Sequence, residues 1–331
     1  MPTNTAPPDS FDSFLSRLFQ GEKRAISRAI SEVENESPDA VRLLDEIYGK
    51  TGNAYRIGVT GPPGAGKSTL TNELALYYRS QNKSVAIVAV DPTSPFTGGA
   101  LLGDRIRMQT SSLDTGVYIR SMAARGSLGG LSKKAKEAAD VLDAAGFDII
   151  LFETVGVGQS ELDIAQAADT TVVVLVPESG DAVQAMKAGL MEIADVFVMN
   201  KCDRDGANQA VSALHAILQF RIPGNGGAND GKTGAGNKWL PPVVQTIGAE
   251  GKGSKELADA IESHKQWELT SGHFRTARMT QLRERILELV SEQVNARFWT
   301  KDKEELMERE ITNVASRSIS PYKVVESLIK T

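Results

Sequence analysis

The spacing of hydrophobic residues divides the chain into three zones. Up to about residue 52, apolar residues recur every three to four positions, as in residues 11–19, and this spacing predicts helices. Short apolar runs then alternate with helical stretches between residues 53 and 262, a pattern typical of a parallel sheet with crossover helices. The helical spacing returns from residue 263 onwards. We therefore expect a helical N-terminal extension (1–52), an α/β domain (53–262) and a helical C-terminal arm (263–331).

Six runs of the middle zone have the length and composition of buried strands. Several are apolar at successive positions, as expected for strands that are covered on both faces. The predicted strands are residues 56–60, 85–90, 148–152, 171–176, 196–199 and 243–246. The fold class is therefore α/β, with a mostly parallel sheet flanked by helices. We predict that the Gly- and Asn-rich segment 224–237 is a surface loop, and we assign it no role.

The C-terminal arm carries an apolar stripe at helical spacing. Its residues are Leu282, Ile286, Leu289, Val294 and Phe298. Such a stripe packs either onto the chain's own α/β domain or onto a second subunit. The pattern by itself leaves both arrangements open.

Composition narrows the classes of function. The net charge of −5 offers no broad basic surface, so nucleic acid is not an expected partner. The single cysteine, Cys202, cannot form an internal disulfide, which fits a reducing compartment. No apolar run approaches the roughly 20 residues that span a bilayer, and the N-terminus lacks the pattern of a signal peptide. We expect a cytoplasmic protein without a membrane partner.

A phosphate-binding loop follows the first predicted strand. Its residues are Gly61, Pro62, Pro63, Gly64, Ala65, Gly66, Lys67 and Ser68, followed by Thr69 at the start of a predicted helix. Glycines let backbone N–H groups point at phosphate oxygens, and the helix adds the positive end of its dipole. We expect Lys67 to reach the β- and γ-phosphates and the Ser68 hydroxyl to bind Mg²⁺.

A guanine-recognition tetrad, Asn200-Lys201-Cys202-Asp203, follows a later predicted strand. The Asp203 carboxylate can accept hydrogen bonds from guanine N1–H and from the exocyclic amine. Adenine offers neither donor, so the carboxylate would stay unpaired, and this makes the discrimination large. Asn200 can brace the loop, while the stem of Lys201 covers the ring. The two motifs together predict a GTP-binding protein.

Acidic residues follow two other predicted strands. Glu153 and Gly156 stand where many GTPases have D-x-x-G, which predicts that Glu153 holds the Mg²⁺ shell and that the Gly156 N–H meets the γ-phosphate. Asp91 and Asp104 are hard oxygen ligands, suited to Mg²⁺ or to the attacking water. Arg107 either offsets charge on the transferred phosphoryl group or pairs with a surface acid, and the sequence leaves both roles open.

Several segments between residues 58 and 203 closely resemble one family, the MeaB/ArgK-type GTPases of the SIMIBI class, which are associated with methylmalonyl-CoA mutase. The matching segments are GVTGPPGAGKST, VAVDPTSP, GGALLGDRIRM, ETVGVGQSE and GDAVQAMKAGLMEIADVFVMNKCD. The resemblance implies a P-loop NTPase fold, Mg²⁺-dependent hydrolysis of GTP to GDP, and a homodimer formed through the C-terminal arm. It also implies a partner, an adenosylcobalamin-dependent acyl-CoA mutase.

In that family, GTP binding and hydrolysis gate the loading of cobalamin into the mutase and protect the mutase from inactivation. The resemblance assigns Lys67, Ser68, Asp91, Asp104 and Glu153 to the metal and catalytic groups. It places Asp104 in a first switch segment and Gln159 in a second (153–161). A third switch (177–189) would signal to the mutase through Asp181, Gln184 and Lys187. Cobalamin should bind the partner, since this chain lacks the D-x-H-x-x-G pattern of cobalamin sites.

One departure from the usual GTPase pattern affects the base site. The loop that often reads S-A-x is here Gly248-Ala249-Glu250, so the base contacts there must come from backbone N–H groups.

Three other functions stay open at this point. A metal-delivering GTPase would need a thiolate or imidazole cluster, which Cys202 and the three histidines do not suggest. A small-molecule kinase is disfavoured by the guanine tetrad. A scaffold that binds GTP without significant turnover is disfavoured by the set of acids. The acyl-CoA substrate of the partner mutase does not follow from the sequence.

Overall fold

The computed structural model describes residues 10–92, 114–124, 130–154, 160–177, 189–220 and 238–330. The chain forms two compact units, Met1–Phe274 and Arg275–Thr331. The predicted boundaries at residues 52 and 262 therefore stay a prediction. None of the described helices combines the length and the apolar character needed to cross a bilayer.

Strands and helices alternate through the first unit, and the second unit is helical. Within the described residues, the strands are β1 (Tyr55–Thr60), β2 (Val85–Pro92), β3 (Val117–Ala124), β4 (Ile149–Thr154), β5 (Thr170–Leu175), β6 (Val196–Met199) and β7 (Val243–Gln245). The helices are α1 (Phe11–Phe19), α2 (Lys23–Glu34), α3 (Ala40–Tyr48), α4 (Lys67–Ser80), α5 (Gly130–Ala144), α6 (Ser160–Ala165), α7 (Leu190–Ile193), α8 (Ala207–Phe220), α9 (Ser254–Ser271), α10 (His273–Phe298), α11 (Lys301–Ala315) and α12 (Pro321–Lys330).

The strands form one sheet in the order β3-β2-β4-β1-β5-β6-β7, and the described pairings are parallel. The predicted α/β class is therefore confirmed. Because all carboxyl ends of parallel strands meet at one edge, the C-terminal ends of β1, β4 and β6 lie on the same side of the sheet. The register confirms this arrangement, since Val59 pairs with Glu153 on one side and with Val172 on the other.

Helices cover both faces of the sheet. On one face, buried residues of α5 and α6 pack against β2 and β4, and α1–α3 add a further layer over α5. On the other face, α4 and α9 cover β1, β4 and β5. Fully buried side chains such as Ile26, Phe152 and Leu74 each contribute about 1.5–3 kcal/mol. The helical N-terminal extension therefore shares the core of the α/β layers.

Strand β3 is the one strand that the sequence pattern did not predict. It lies at the edge of the sheet, and α2 covers it through polar contacts. The Ser27 hydroxyl and the Tyr118 hydroxyl lie 3.0 Å apart, and Arg120 Nη2 donates to Ser31 Oγ at 3.0 Å. An edge strand that meets a helix through polar side chains loses the continuous apolar run of a central strand.

Asp143, near the end of α5, fixes the chain where it enters β1. Its carboxylate accepts backbone N–H groups from Gly52 at 2.8 Å, from Asn53 at 3.1 Å and from Ala54 at 3.0 Å. Arg56 Nη2 lies 3.5 Å from the same carboxylate. This buried carboxylate therefore satisfies three donors of the connection between the N-terminal helices and the strand that precedes the phosphate loop.

We expect Asp143→Asn to lower the free energy of unfolding by about 2–3 kcal/mol, because one carboxylate oxygen becomes an amide donor facing backbone donors. Urea-induced unfolding followed by circular dichroism measures the change. Asp140→Asn is the matched control, because Asp140 contacts the same Arg56 at 2.7 Å but is 34% exposed. Its expected cost is below about 1 kcal/mol. Equal losses in both variants would contradict the assigned role of Asp143.

Candidate nucleotide-binding site

The predicted phosphate loop lies between the end of β1 and the start of α4, at the carboxyl edge of the sheet. Gly61 has φ of 135°, and a Cβ there would lie 2.1 Å from the Val174 carbonyl oxygen. Gly66 has φ of 94°, and a Cβ there would lie 2.3 Å from Asn200 Nδ2. The loop can therefore pass this close to β5 and to Asn200 only because both positions are glycine.

Lys67 is the first residue of α4 and is 5% exposed. Its Nζ donates hydrogen bonds to Gly61 O and to Pro62 O, both at 2.9 Å. The ammonium group therefore lies across the loop whose N–H groups would face phosphate oxygens. A cation held there by two carbonyls is placed to transfer its hydrogen bonds to the phosphates of a nucleotide.

Two predicted metal ligands meet at this edge. The Ser68 hydroxyl donates to Glu153 Oε1, and Glu153 is the next-to-last residue of β4 with 3% exposure. The next residue of β4 also carries a hydroxyl, since Thr154 Oγ1 donates to Thr60 Oγ1 at 3.2 Å. A hydroxyl and a carboxylate in contact are the hard oxygen donors that Mg²⁺ prefers. This donor set therefore fits Mg²⁺, with phosphate and water oxygens as the further ligands.

Asn200 connects the phosphate loop with the base loop. Its Nδ2 donates to Ala65 O at 2.8 Å. Its Oδ1 accepts hydrogen bonds from Thr246 Oγ1 at 2.9 Å and from the Gly248 N–H at 3.0 Å. Asn200 is 3% exposed, so these contacts satisfy a buried amide and determine which way it points.

The other tetrad residues turn outwards after β6. Lys201 has φ of 58°, in the left-handed region, which turns the chain sharply at this position. The Cys202 N–H donates to Thr246 O at 3.1 Å, and burial raises the pKa of the Cys202 thiol. Asp203 is exposed, as a carboxylate that recognises a base must be.

The base loop forms a 3-10 turn at Gly248–Glu250. The Gly248 N–H donates to Asn200 Oδ1, and the Glu250 N–H donates to Ile247 O at 2.9 Å. Among the described residues, the exposed Ala249 N–H is thus the donor of this turn without an acceptor. The Gly248 and Glu250 N–H groups therefore have acceptors within the protein, and the contacts of all three residues with the base stay predictions.

Thr246 belongs to the site, but the sequence pattern placed it only in a predicted strand. It is 1% exposed, and its hydroxyl orients Asn200. A polar residue at the end of a strand that precedes a glycine turn, on the carboxyl edge, was the available signal. Leu70 also borders the loop, since a Cβ on Gly248 would lie 3.2 Å from Leu70 Cδ2.

Several predicted site residues lie outside the described part of the chain. Asp91 belongs to the carboxyl end of β2, beside β4, but its side chain is not among the described groups. Seven further residues lie outside the described ranges: Asp104, Arg107, Gly156, Gln159, Asp181, Gln184 and Lys187. The segment 224–237 lies outside them too. The roles of these residues stay predictions.

Among the described residues, no group of three or more His, Cys, Asp or Glu side chains could hold a metal ion. The Ser68–Glu153 pair is the predicted Mg²⁺ site that the described residues bring together. Such a pair is completed by a nucleotide, as is usual for Mg²⁺ in phosphate-transfer enzymes.

Comparison with known proteins agrees with this geometry. A family model described as methylmalonyl Co-A mutase-associated GTPase MeaB matches residues 26–303. A protein of Pyrococcus abyssi is 46% identical over 319 residues and covers 96% of each chain. GTPase ArgK of Escherichia coli is 35% identical over 319 residues, covering 93% of this chain and 92% of its own.

Among solved structures, one titled LAO/AO transport system kinase superposes with a TM-score of 0.71 at 28% identity and covers 96% of both chains. These findings confirm the resemblance carried by the segments between residues 58 and 203, and with it the P-loop fold. The chain belongs to the MeaB family of methylmalonyl-CoA mutase-associated GTPases, and it hydrolyses GTP.

Proposed function

We propose that this GTPase is a chaperone of an adenosylcobalamin-dependent acyl-CoA mutase of the methylmalonyl-CoA mutase type. GTP binding and hydrolysis gate the loading of adenosylcobalamin into the mutase and protect it, and cobalamin binds the mutase and not this chain. The observation that carries the proposal is the match of a mutase-associated family model to residues 26–303.

The nucleotide is held at two ends by loops that Asn200 joins. Lys67 and the N–H groups of the phosphate loop bind the phosphates, and the Asp203 carboxylate accepts from guanine N1–H and the exocyclic amine. The Ala249 N–H donates to guanine O6 in this arrangement, because it is the donor of the base turn that other contacts leave available among the described residues. The phosphates therefore meet a cation and N–H donors, and the guanine edge meets one carboxylate acceptor and one N–H donor.

Ser68 and Glu153 hold Mg²⁺ on the phosphate side of the site. When bound, the ion neutralises charge that develops on the β- and γ-phosphate oxygens. Glu153 lies at the end of a fully buried strand, so its carboxylate is fixed in position, and Ser68 is fixed by the first turn of α4. The two ligands come from separate elements, and this makes the metal position sensitive to the contact between β4 and α4.

A homodimer is part of the proposal. Helix α10 has no buried residue among those described, and several of its apolar side chains are more than a third exposed: Met279, Leu282, Ile286, Leu287, Leu289, Val290 and Val294. A helix with this apolar surface gains stability by packing against a second copy. Sedimentation equilibrium of the purified chain tests this part, and a monomer at micromolar concentration would contradict it.

The solved structure of the LAO/AO transport system kinase suggests a second function, the transfer of a phosphoryl group to a small molecule. The guanine tetrad opposes it, since Asp203 would face no donors on adenine. Binding of GTP in preference to ATP distinguishes the two, and equal binding would favour the kinase.

The mutase partner is tested by pull-down and turnover with three enzymes, the methylmalonyl-, isobutyryl- and 2-hydroxyisobutyryl-CoA mutases. We expect one of them to be captured by the GTP-loaded chain and to raise GTP turnover, because ordered switch segments complete the catalytic site. Asp203→Asn, tested with GTP at the same concentration, is the control. It shows whether capture of the mutase and stimulation of turnover depend on the bound guanine nucleotide. Absence of capture and of stimulation with all three mutases would remove the chaperone function and leave the GTPase.

For the base site, we expect Asp203→Asn to weaken GDP binding on the order of 100-fold, because a carboxylate that accepts two hydrogen bonds is lost. The variant should gain affinity for xanthosine diphosphate, whose O2 accepts from the new amide. Isothermal titration calorimetry with both nucleotides measures the exchange. Asp205→Asn, which changes an exposed acid two residues later, should leave both affinities unchanged. Unchanged GDP affinity in Asp203→Asn would refute the assignment.

For the metal site, we expect Ser68→Ala to raise the Mg²⁺ concentration needed for half-maximal GTP turnover by about tenfold or more, since one inner ligand is lost. Ser68→Thr keeps the hydroxyl and should stay near the parent value, so it is the matched control. Steady-state phosphate release over a Mg²⁺ titration provides the measurement. The ligand assignment fails if both variants respond to Mg²⁺ as the parent does.

A further inference from the structure

A chain of buried polar side chains crosses the amino edge of the sheet, opposite the nucleotide site. Three strands supply members there: Tyr55 begins β1, Thr170 begins β5, and Asp195 directly precedes β6. Helix α9 supplies His264 and Glu268, which are 2% and 3% exposed. None of these residues belongs to the nucleotide site, so the buried polar groups need another explanation.

The contacts run in one line from Glu268 to Asp195. Tyr55 Oη donates to Glu268 Oε2 at 3.3 Å and lies 2.6 Å from Thr170 Oγ1. Thr170 Oγ1 lies 2.8 Å from His264 Nδ1. On the other side of the imidazole ring, His264 Nε2 lies 3.4 Å from Asp195 Oδ1.

The carboxylate of Glu268, at one end of this line of contacts, determines the direction of each hydrogen bond. An ionised Glu268 only accepts, so the Tyr55 hydroxyl donates to it. The Thr170 hydroxyl then donates to Tyr55, and His264 Nδ1 must carry the proton that Thr170 Oγ1 accepts. A neutral imidazole of this kind has a lone pair at Nε2, and this lone pair faces Asp195 Oδ1. Two acceptors repel, so the contact requires one proton between them.

We propose that Asp195 holds this proton and shares it with His264, and that the protonated contact joins β6 to α9 behind the guanine-recognition loops. The proton is present below neutral pH and is released as the pH rises through the neutral range. Release leaves a carboxylate against a lone pair and loosens the contact between the strand and the helix.

Burial of the His264 ring opposes a cationic imidazole and so favours a neutral pair over an ion pair, although the N–H that Thr171 donates favours the ionised form of Asp195. The Thr171 N–H donates to Asp195 Oδ2 at 2.8 Å, and Trp239 Nε1 donates to the Asp195 carbonyl oxygen at 2.7 Å. The Trp239 and Trp267 rings lie 4.9 Å and 5.7 Å from the His264 ring. The Asp195 side chain keeps 30% of its surface exposed, against 2% for His264. Asp195 is therefore the end of the chain from which the proton exchanges with water.

Other charged groups at this edge surround Tyr55 and Trp267. Lys265 Nζ lies 4.8 Å from the centre of the Tyr55 ring, and Asp169 also acts on Tyr55 electrostatically. The His273 ring lies 5.2 Å from that of Trp267. Of these groups, His273 is the one whose charge opposes protonation of His264.

The pKa values of the pair agree with this position of the proton. Burial raises the pKa of Asp195 to about 7, although the Thr171 N–H acts in the opposite direction. Burial, followed by the charge of His273, lowers the pKa of His264 to about 4. Both directions agree with a protonated carboxyl beside a neutral imidazole at mildly acidic pH. The folded-state proton on Asp195 is lost as the pH rises through about 7.

The two elements joined by this proton also carry the base site. The five residue steps along β6 from Asp195 to Asn200 span about 17 Å, and α9 begins at Ser254, shortly after the turn that contains Ala249. A looser contact between β6 and α9 therefore changes the spacing of Asp203 and the Ala249 N–H. This consequence rests on the proposed guanine-recognition role of those residues. The position of the proton between Asp195 and His264 does not depend on that role.

Nitrogen-15 NMR of imidazole-labelled protein tests the proton itself, since the chain has three histidines. His264→Gln assigns the signal, and the exposed His215 and His273 give reference signals. At pH 6.5 we expect a neutral His264 ring protonated at Nδ1, with an Nε2 shift that changes as the pH passes 7. A cationic ring at pH 6.5, or a ring protonated at Nε2 alone, would overturn the proposal.

The nucleotide consequence is tested by fluorescent GDP binding at pH 6.5 and 8.5. Asp195→Asn keeps a donor towards His264 at every pH and an acceptor for the Thr171 N–H. We expect the wild type to lose affinity on the order of fivefold more than Asp195→Asn over this range. Asp169→Asn is the matched control, because Asp169 Oδ2 also accepts a backbone N–H, from Arg56 at 2.8 Å, and should behave as the wild type.

The ionisation of GDP is common to all three proteins, so the comparison isolates Asp195. An equal pH dependence in wild type and Asp195→Asn would overturn the link to the base site. A wild type that binds no GDP would contradict the guanine-site assignment as well as that link, and the NMR result would still decide where the proton lies. Neither result depends on whether a mutase stimulates turnover.

Discussion

The buried amide of Asn200 is the interaction on which the nucleotide site depends. It is hydrogen-bonded to Ala65 on the phosphate side and to Thr246 and Gly248 on the base side. The two loops come from distant parts of the sequence, so noncovalent contacts set the distance between them. Because the amide is buried and hydrogen-bonded on both sides, a change in either loop would leave a polar group unsatisfied, and this couples the phosphate and base ends of the site.

The parallel sheet explains why the two edges have different chemistry. The loops after β1, β6 and β7 and the end of β4 meet at the carboxyl edge, where the phosphate loop, Glu153 and the predicted base turn come together. The amino edge lies under α9, and the strand starts there bury their polar side chains against the helix. Strand β6 belongs to both edges, so the proton proposed at Asp195 and the base contact proposed for Asp203 act on one element.

The strand predictions succeeded for the central strands and for the edge strand β7, and they missed β3 at the other edge. Central strands such as β4 and β5 are buried at every position, so their sequences are continuous apolar runs. Strand β3 meets α2 through Tyr118 and Arg120 and lacks such a run. Thr246 was missed as a site residue for a related reason, since its role depends on the hydrogen bond to Asn200 and not on its neighbours in sequence.

By itself, the sequence determined the fold class, the phosphate loop, the guanine tetrad and the family, because each is encoded in contiguous residues whose chemistry is local. Only the tertiary structure decided which polar groups meet: Ser68 with Glu153, Asn200 with Thr246, and His264 with Asp195. The physical reason is that a buried polar side chain takes its partner from strand register and helix packing. Both arise from the whole core, and no short segment contains that information.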